Sequence, residues 1–169
     1  MSLIELCGSG DLEGVKDALK SGTDVNTRNE YGETGLILAV MNNHNSVVAL
    51  LINTPNIDVN WKNASGHGAL HCAVFCKNNE VLELLLNVAN IDVNSVTNSG
   101  RGGVYWAVIK NNIEGLKRLL SLPNIDVNLV DNNGESVVHA AVDEEKIEAL
   151  HYWLRRSIWV LKYVENFHK

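Results

Sequence analysis

Apolar residues along the chain fall into short runs that come in pairs, and the pairs recur. The first runs are Leu36-Ile37-Leu38-Ala39-Val40, Ala69-Leu70-His71-Cys72-Ala73-Val74, Val104-Tyr105-Trp106-Ala107-Val108 and Val137-Val138-His139-Ala140-Ala141-Val142. The second runs lie at residues 47–51, 81–86 and 113–120. Their i, i+3, i+4 apolar spacing predicts amphipathic helices. The first runs are more evenly apolar, and periodicity alone does not separate helix from buried strand there. Thr34 and Ser136 stand in front of them as helix N-cap residues. An alanine recurs at Ala39, Ala73, Ala107 and Ala141, which favours helices whose backbones approach closely. Polar breakers such as Asn42-Asn43-His44-Asn45 and Lys77-Asn78-Asn79 separate the two helices of a pair.

The register of these pairs is set by Asn-Ile-Asp-Val-Asn, which occurs at 56–60, 90–94 and 124–128, a spacing of 34 residues. A shortened copy, Thr23-Asp24-Val25-Asn26, precedes the first by the same step. Glycine follows in each copy, at Gly32, Gly66, Gly100 and Gly134. Each unit therefore reads helix, tight turn, helix, loop, glycine turn. A fixed period in this range marks a repeat architecture, and no unit buries its apolar face alone, so the units stack.

The pattern resembles the ankyrin repeat, whose signature runs Gly-x-Thr-Pro-Leu-His-x-Ala, two helices with Leu-Leu in the second, then Gly-Ala-Asp-Val-Asn. The matching residues are Gly32-Glu33-Thr34-Gly35-Leu36, Gly66-His67-Gly68-Ala69-Leu70-His71-Cys72-Ala73, the pairs Leu50-Leu51, Leu84-Leu85 and Leu119-Leu120, and Ser21-Gly22-Thr23-Asp24-Val25-Asn26. Three loops carry one extra residue, which accounts for a period of 34 where the family's is 33. The resemblance covers residues 3–154 and implies an all-α solenoid of stacked helix-turn-helix units with hairpin-like loops. Residues 1–30 are expected to form an N-terminal capping repeat, 31–64, 65–98 and 99–132 full repeats, and 133–169 a C-terminal repeat with a long capping helix. No Gly or Pro interrupts residues 135–169, so that helix is expected to run from about Glu144 to the end. The family's Pro is absent throughout: Gly35, Ala69, Gly103 and Val137 take its place. Gly102-Gly103 predicts the weakest helix start in the fourth repeat, with stacking by Trp106 as compensation.

Net charge is −6, which argues against broad nucleic-acid or anionic-membrane binding. Residues 150–169 carry four basic residues against Glu165, a basic tail on an acidic body. No apolar run reaches the ~20 residues of a membrane helix. Three cysteines without framework spacing favour a reducing compartment, cytoplasmic or nuclear. Cys72 and Cys76 lie one helical turn apart beside His71, but zinc needs four ligands and no second pair is present, so buried thiols are the reading. No catalytic motif, metal site or cofactor site is expected. The recurring Asp24, Asp58, Asp92 and Asp126 read as acceptors for turn amides.

What the resemblance implies for function is binding of another protein, without catalysis, through the concave face and loop tips. Carried over position by position, the contact residues are Tyr31, Glu33, Met41, Asn42, His67, Phe75, Cys76, Arg101, Ile109 and Lys110, with Met41, Phe75 and Ile109 as one apolar column. It also implies that His71 and His139 join neighbouring turns by hydrogen bonds. Asn26, Asn60, Asn94 and Asn128 match the residue that asparaginyl hydroxylases modify in the family. A different reading is an oligomerisation or scaffold module, a homodimer formed through Trp153, Trp159, Tyr163 and Phe167. A third is a regulatory piece of a larger protein.

Overall fold

The computed structural model describes residues 1–143, 146 and 148–155. Among them the apolar runs are helices: α1 (Leu3–Ser9), α2 (Leu12–Lys20), α3 (Gly35–Met41), α4 (Asn45–Ile52), α5 (Ala69–Phe75), α6 (Asn79–Leu86), α7 (Gly103–Ile109), α8 (Ile113–Leu120) and α9 (Val137–Asp143). A further helix occupies 148–155. The first helices form one layer, α3 against α1 and α5, α7 against α5 and α9. That sandwiching explains their even apolar pattern, since both flanks are covered. Ala39, Ala73 and Ala107 are fully buried in these contacts. The second helices α4, α6 and α8 pack in a parallel layer and bury one stripe each, such as Val47, Val48 and Leu51.

Helix starts follow local chemistry. Thr34 Oγ1 accepts from the Ile37 N–H to cap α3. Asn78 and Asn112 cap α6 and α8 in the same way. At α1 a capping box closes the terminus: Ser2 Oγ accepts from Glu5 N–H, and Ser2 N–H donates to Glu5 Oε2 at 2.8 Å. At α7 the cap is Gly102, which offers no side-chain bond.

The loops form hairpins, each with a single antiparallel bridge, at Arg28–Thr34, Lys62–Gly68, Val96–Gly102 and Val130–Ser136. Within a hairpin one side chain organises the turn: Asn63 Oδ1 accepts from both Ser65 N–H and His67 N–H, and Asp131 Oδ1 from Asn133 and Glu135. Successive tips lie against one another, with Asn98 N–H donating to Ser65 O and Asn132 N–H to Ser99 O. Gly66 has φ +80° and sits so close to the next tip that a Cβ would fall 2.3 Å from Asn98 N. Glycine is thus required twice over, by conformation and by space.

The repeated Asn-Ile-Asp-Val-Asn segment is a clamp between copies. Each aspartate carboxylate accepts from the N–H two residues on, as Asp58 Oδ1 does from Asn60 N–H at 3.1 Å. Each closing asparagine reaches the next loop: Asn60 Nδ2 donates to Asn90 O at 2.7 Å, and Asn60 Oδ1 accepts from Asp92 N–H at 2.8 Å. Asn26 and Asn94 do the same.

Two expectations need correction. The Leu-Leu doublet of the fourth repeat is out of step, because Leu119 fills the fully buried column of Leu51 and Leu85, while Arg118 replaces Leu50 and Leu84. Arg118 forks onto the carboxylate of Glu83 instead. The helix expected from about Glu144 is not continuous there: Lys146 is non-helical and its N–H donates to Ala141 O, as Asn78 does to Ala73 O and Asn112 to Ala107 O. Residues 156–169 lie outside the described residues, and with them the rest of the expected capping helix.

Candidate protein-interaction face

The exposed ends of the first helices and the hairpin tips share one side of the stack. Met41 and Phe75 are 43% and 44% exposed, at corresponding positions of α3 and α5. Between them and the next tip runs a groove of about 230 Å³, bounded by Met41, His67, Cys72, Phe75 and Cys76, with Asn63 and Ser65 at its lip. Phe75 meets Trp106 edge-on at 5.6 Å, and Trp106 lies 5.7 Å from the rings of both His67 and Tyr105. Lys110 Nζ sits 3.8 Å from the Phe75 ring centre, a cation over an aromatic face. The arrangement offers apolar and aromatic surface with the Lys110 cation at its edge.

The contact residues expected from sequence divide into groups. Met41, His67, Phe75 and Cys76 come together at the groove, with Lys110 above Phe75. Ile109 is half-buried on α7, and Tyr31 is exposed at its tip. The polar ends of the remaining residues are engaged within the chain. Glu33 Oε2 accepts from Asn29 Nδ2, Asn42 Nδ2 donates to Gly8 O, and Arg101 donates to Asp131 Oδ2 at 3.2 Å while lying over Tyr105. Burial of Asp131 opposes its charge, but the N–H groups of Asn133 and Glu135 and the Arg101 guanidinium outweigh it and hold the carboxyl below the usual range. Trp153 is half-buried and packs against the core. Trp159, Tyr163, Phe167 and Glu144 lie outside the described residues.

Trp106 stacks as expected, and it also joins His67, Phe75 and Tyr105, a set of neighbours not assigned to it from sequence. The signal was present in helix spacing: Trp106 precedes Ile109 and Lys110 by the same three and four residues that separate Cys72 from Phe75 and Cys76, which places it on the groove face.

The nearby titratable groups are structural. His71 is buried; Gly68 N–H donates to its Nδ1 at 3.2 Å, and its Nε2 lies 2.8 Å from Ser95 O in the next loop. Burial takes its pKa down to about 4. His139 repeats half of this arrangement, accepting from Ser136 N–H. Burial pushes the thiols of Cys7 and Cys72 up to about 11 and about 12, so both stay protonated and inert. Among the described residues no three His, Cys, Asp or Glu side chains gather as a metal site, and no helix is long and apolar enough to cross a membrane.

With this geometry in view, the comparison with known families is decisive. Residues 3–97 match ankyrin repeats (3 copies), and residues 104–154 match ankyrin repeats (many copies). The chain belongs to the ankyrin-repeat family. No curated protein matches it. Ankyrin repeats are generally protein–protein interaction modules and typically non-catalytic, and the helical stack with its hairpin tips is the ankyrin solenoid.

Proposed function

We propose that this ankyrin-repeat chain binds another protein through its concave face, with Phe75 and Met41 at the centre of the contact and Tyr31, His67 and Lys110 around them. One observation carries the reading: Phe75 is a large aromatic side chain left 44% exposed on a helix otherwise sunk in the core, at the edge of an apolar groove. Exposed aromatics beside a preformed groove are the kind of anchor that dominates binding energy. Lys110 and the groove lip supply the polar rim. Self-association through the aromatic C-terminal segment is less favoured, because Trp153 packs inward.

The test is capture of a partner by the wild-type chain, followed by the same measurement with Phe75→Ser. Binding should fall at least tenfold with the melting temperature little changed, whereas Glu114→Lys on α8 should bind normally. Intact binding by Phe75→Ser at unchanged stability would sink the proposal.

A further inference from the structure

The interaction groove carries opposite charges at its two ends. Glu33 stands on the side of the preceding repeat, in the hairpin that leads into α3, and Lys110 on the side of the following repeat, at the end of α7. Both are half-buried. Glu33 Oε2 accepts from Asn29 Nδ2 at 2.8 Å, and Lys110 Nζ lies 3.8 Å from the Phe75 ring centre. Neither joins an ion pair among the described residues. The two thiols of the groove feel this polarity. Burial is the largest influence on both and pushes them up; Cys76 and then the Glu33 carboxylate push Cys72 further, whereas Lys110 pulls Cys76 back. Between its ends the groove is neutral, because the thiols stay protonated and burial takes His67 below its usual 6.5.

Met41, Cys72 and Cys76 line the groove with sulfur beside the Phe75 ring. Its volume of about 230 Å³ is smaller than the roughly 300–1,000 Å³ of small-molecule sites, and suits one large side chain. Polarizable sulfur favours an aromatic one. We propose, resting on the reading of this face as a protein contact, that the partner presents a single segment in which one aromatic side chain is flanked by a carboxylate on one side and by Lys or Arg on the other. The ring enters the groove, the carboxylate meets Lys110, and the cation meets Glu33. A segment whose two flanking charges have the same sign sets one of them against its like. The charges also bound the spacing. Glu33 leads into α3, and Lys110 closes α7 but folds back over Phe75 of α5, so one to two helix spacings, about 8–20 Å, separate them. Roughly three to six extended residues cover that distance.

A phage library of random peptides long enough to span both charges, selected on the full chain, tests this. The enriched peptides should share an aromatic residue with an acidic and a basic residue on opposite sides of it. Lys110→Glu replaces attraction by repulsion, so it should weaken a selected peptide about three- to tenfold. Exchanging that peptide's acidic residue for Lys should restore most of the loss, which a misfolded variant could not show. Glu33→Gln keeps an acceptor for Asn29 Nδ2 and removes only the charge, and should weaken the same peptide less than Lys110→Glu does. Phe75→Ser separates the two levels of the reading. Selected peptides that bind Phe75→Ser as well as wild type would sink the assignment of the face itself. Peptides that need Phe75 but lack the flanking acid and base, or that bind Lys110→Glu and Glu33→Gln undiminished, would overturn the present proposal alone, as would a library that yields no binder.

Discussion

Acidification probes the best-defined buried polar contact in the stack. His71 is 1% exposed. It accepts from Gly68 N–H through Nδ1, so the proton sits on Nε2, which donates to Ser95 O in the next loop. A second proton would set Nδ1–H against Gly68 N–H and place a charge in the core. Burial is the largest influence and takes the pKa from 6.5 to about 4, with the Ser95 carbonyl pulling the other way. The unfolded chain takes up that proton near 6.5. Between these values the unfolded state holds more protons than the fold, so stability falls as pH drops through the window and is fully present above it. The interval is worth on the order of 3 kcal/mol, of which about 2 kcal/mol is gone by roughly pH 4.5. Urea unfolding at about pH 7 and about pH 4.5, on the wild type and on His71→Leu, isolates the effect. The variant starts less stable, because Gly68 N–H and Ser95 O lose their partner. Its loss on acidification should nonetheless be about 2 kcal/mol smaller. His67, also pushed down by burial, is present in both proteins and largely cancels in the difference. Equal acid sensitivity in the two proteins would refute the neutral-histidine account.

Three further perturbations test the framework. Asn60→Ala removes both clamp bonds to the next loop and should cost about 1–3 kcal/mol; a midpoint within error of wild type in chemical denaturation would show that the clamp contributes nothing. Lys77 holds φ +56° in the turn between α5 and α6, where asparagine stands in the neighbouring copies at Asn43 and Asn111. Lys77→Asn should therefore stabilise by about 0.5–1 kcal/mol, read as a higher melting temperature. A Cβ at Gly35 would lie 2.7 Å from Cys7 Sγ. Gly35→Ala should therefore destabilise by about 1–3 kcal/mol, and adding Cys7→Ala should return part of that loss in a double-mutant cycle.

What sequence makes legible here is whatever repeats. The columns of Ala39, Leu51, Asp58, Asn60 and Gly66 recur at 34 residues because each performs the same contact in every copy, so comparison of the chain with itself reveals the helices, hairpins and loops. The clamp shows the limit. Asn60 reads locally as a residue that bonds its own loop, whereas its amide spans to Asn90 and Asp92 in the next. Periodicity reports that a residue is reused and leaves open whether its partner lies inside the copy or beyond it. The capping box of Ser2 and Glu5 was available as Ser-x-x-Glu ahead of an apolar run, a local signal that the repeat pattern overshadowed because the first copy lacks the Gly-Thr turn.

The departures from the pattern carry the information specific to this chain, and their causes lie across repeat boundaries. Gly35 stands at the family's proline position, where Cys7 of α1 fills the space a side chain would use. Gly103 at the same position has Leu119 at 3.4 Å from where a Cβ would stand. Trp106 is foreign to its column, and it is the side chain that ties the tip of one repeat, through His67, to the exposed Phe75 on the same unit. A small side chain at position 106 would leave Phe75 and His67 without their shared neighbour. In a solenoid the conserved columns hold neighbours together in the same way everywhere, so they cannot distinguish one partner from another. On the proposed function, discrimination falls to irregular residues such as Met41, Phe75, Trp106 and Lys110, where successive copies differ.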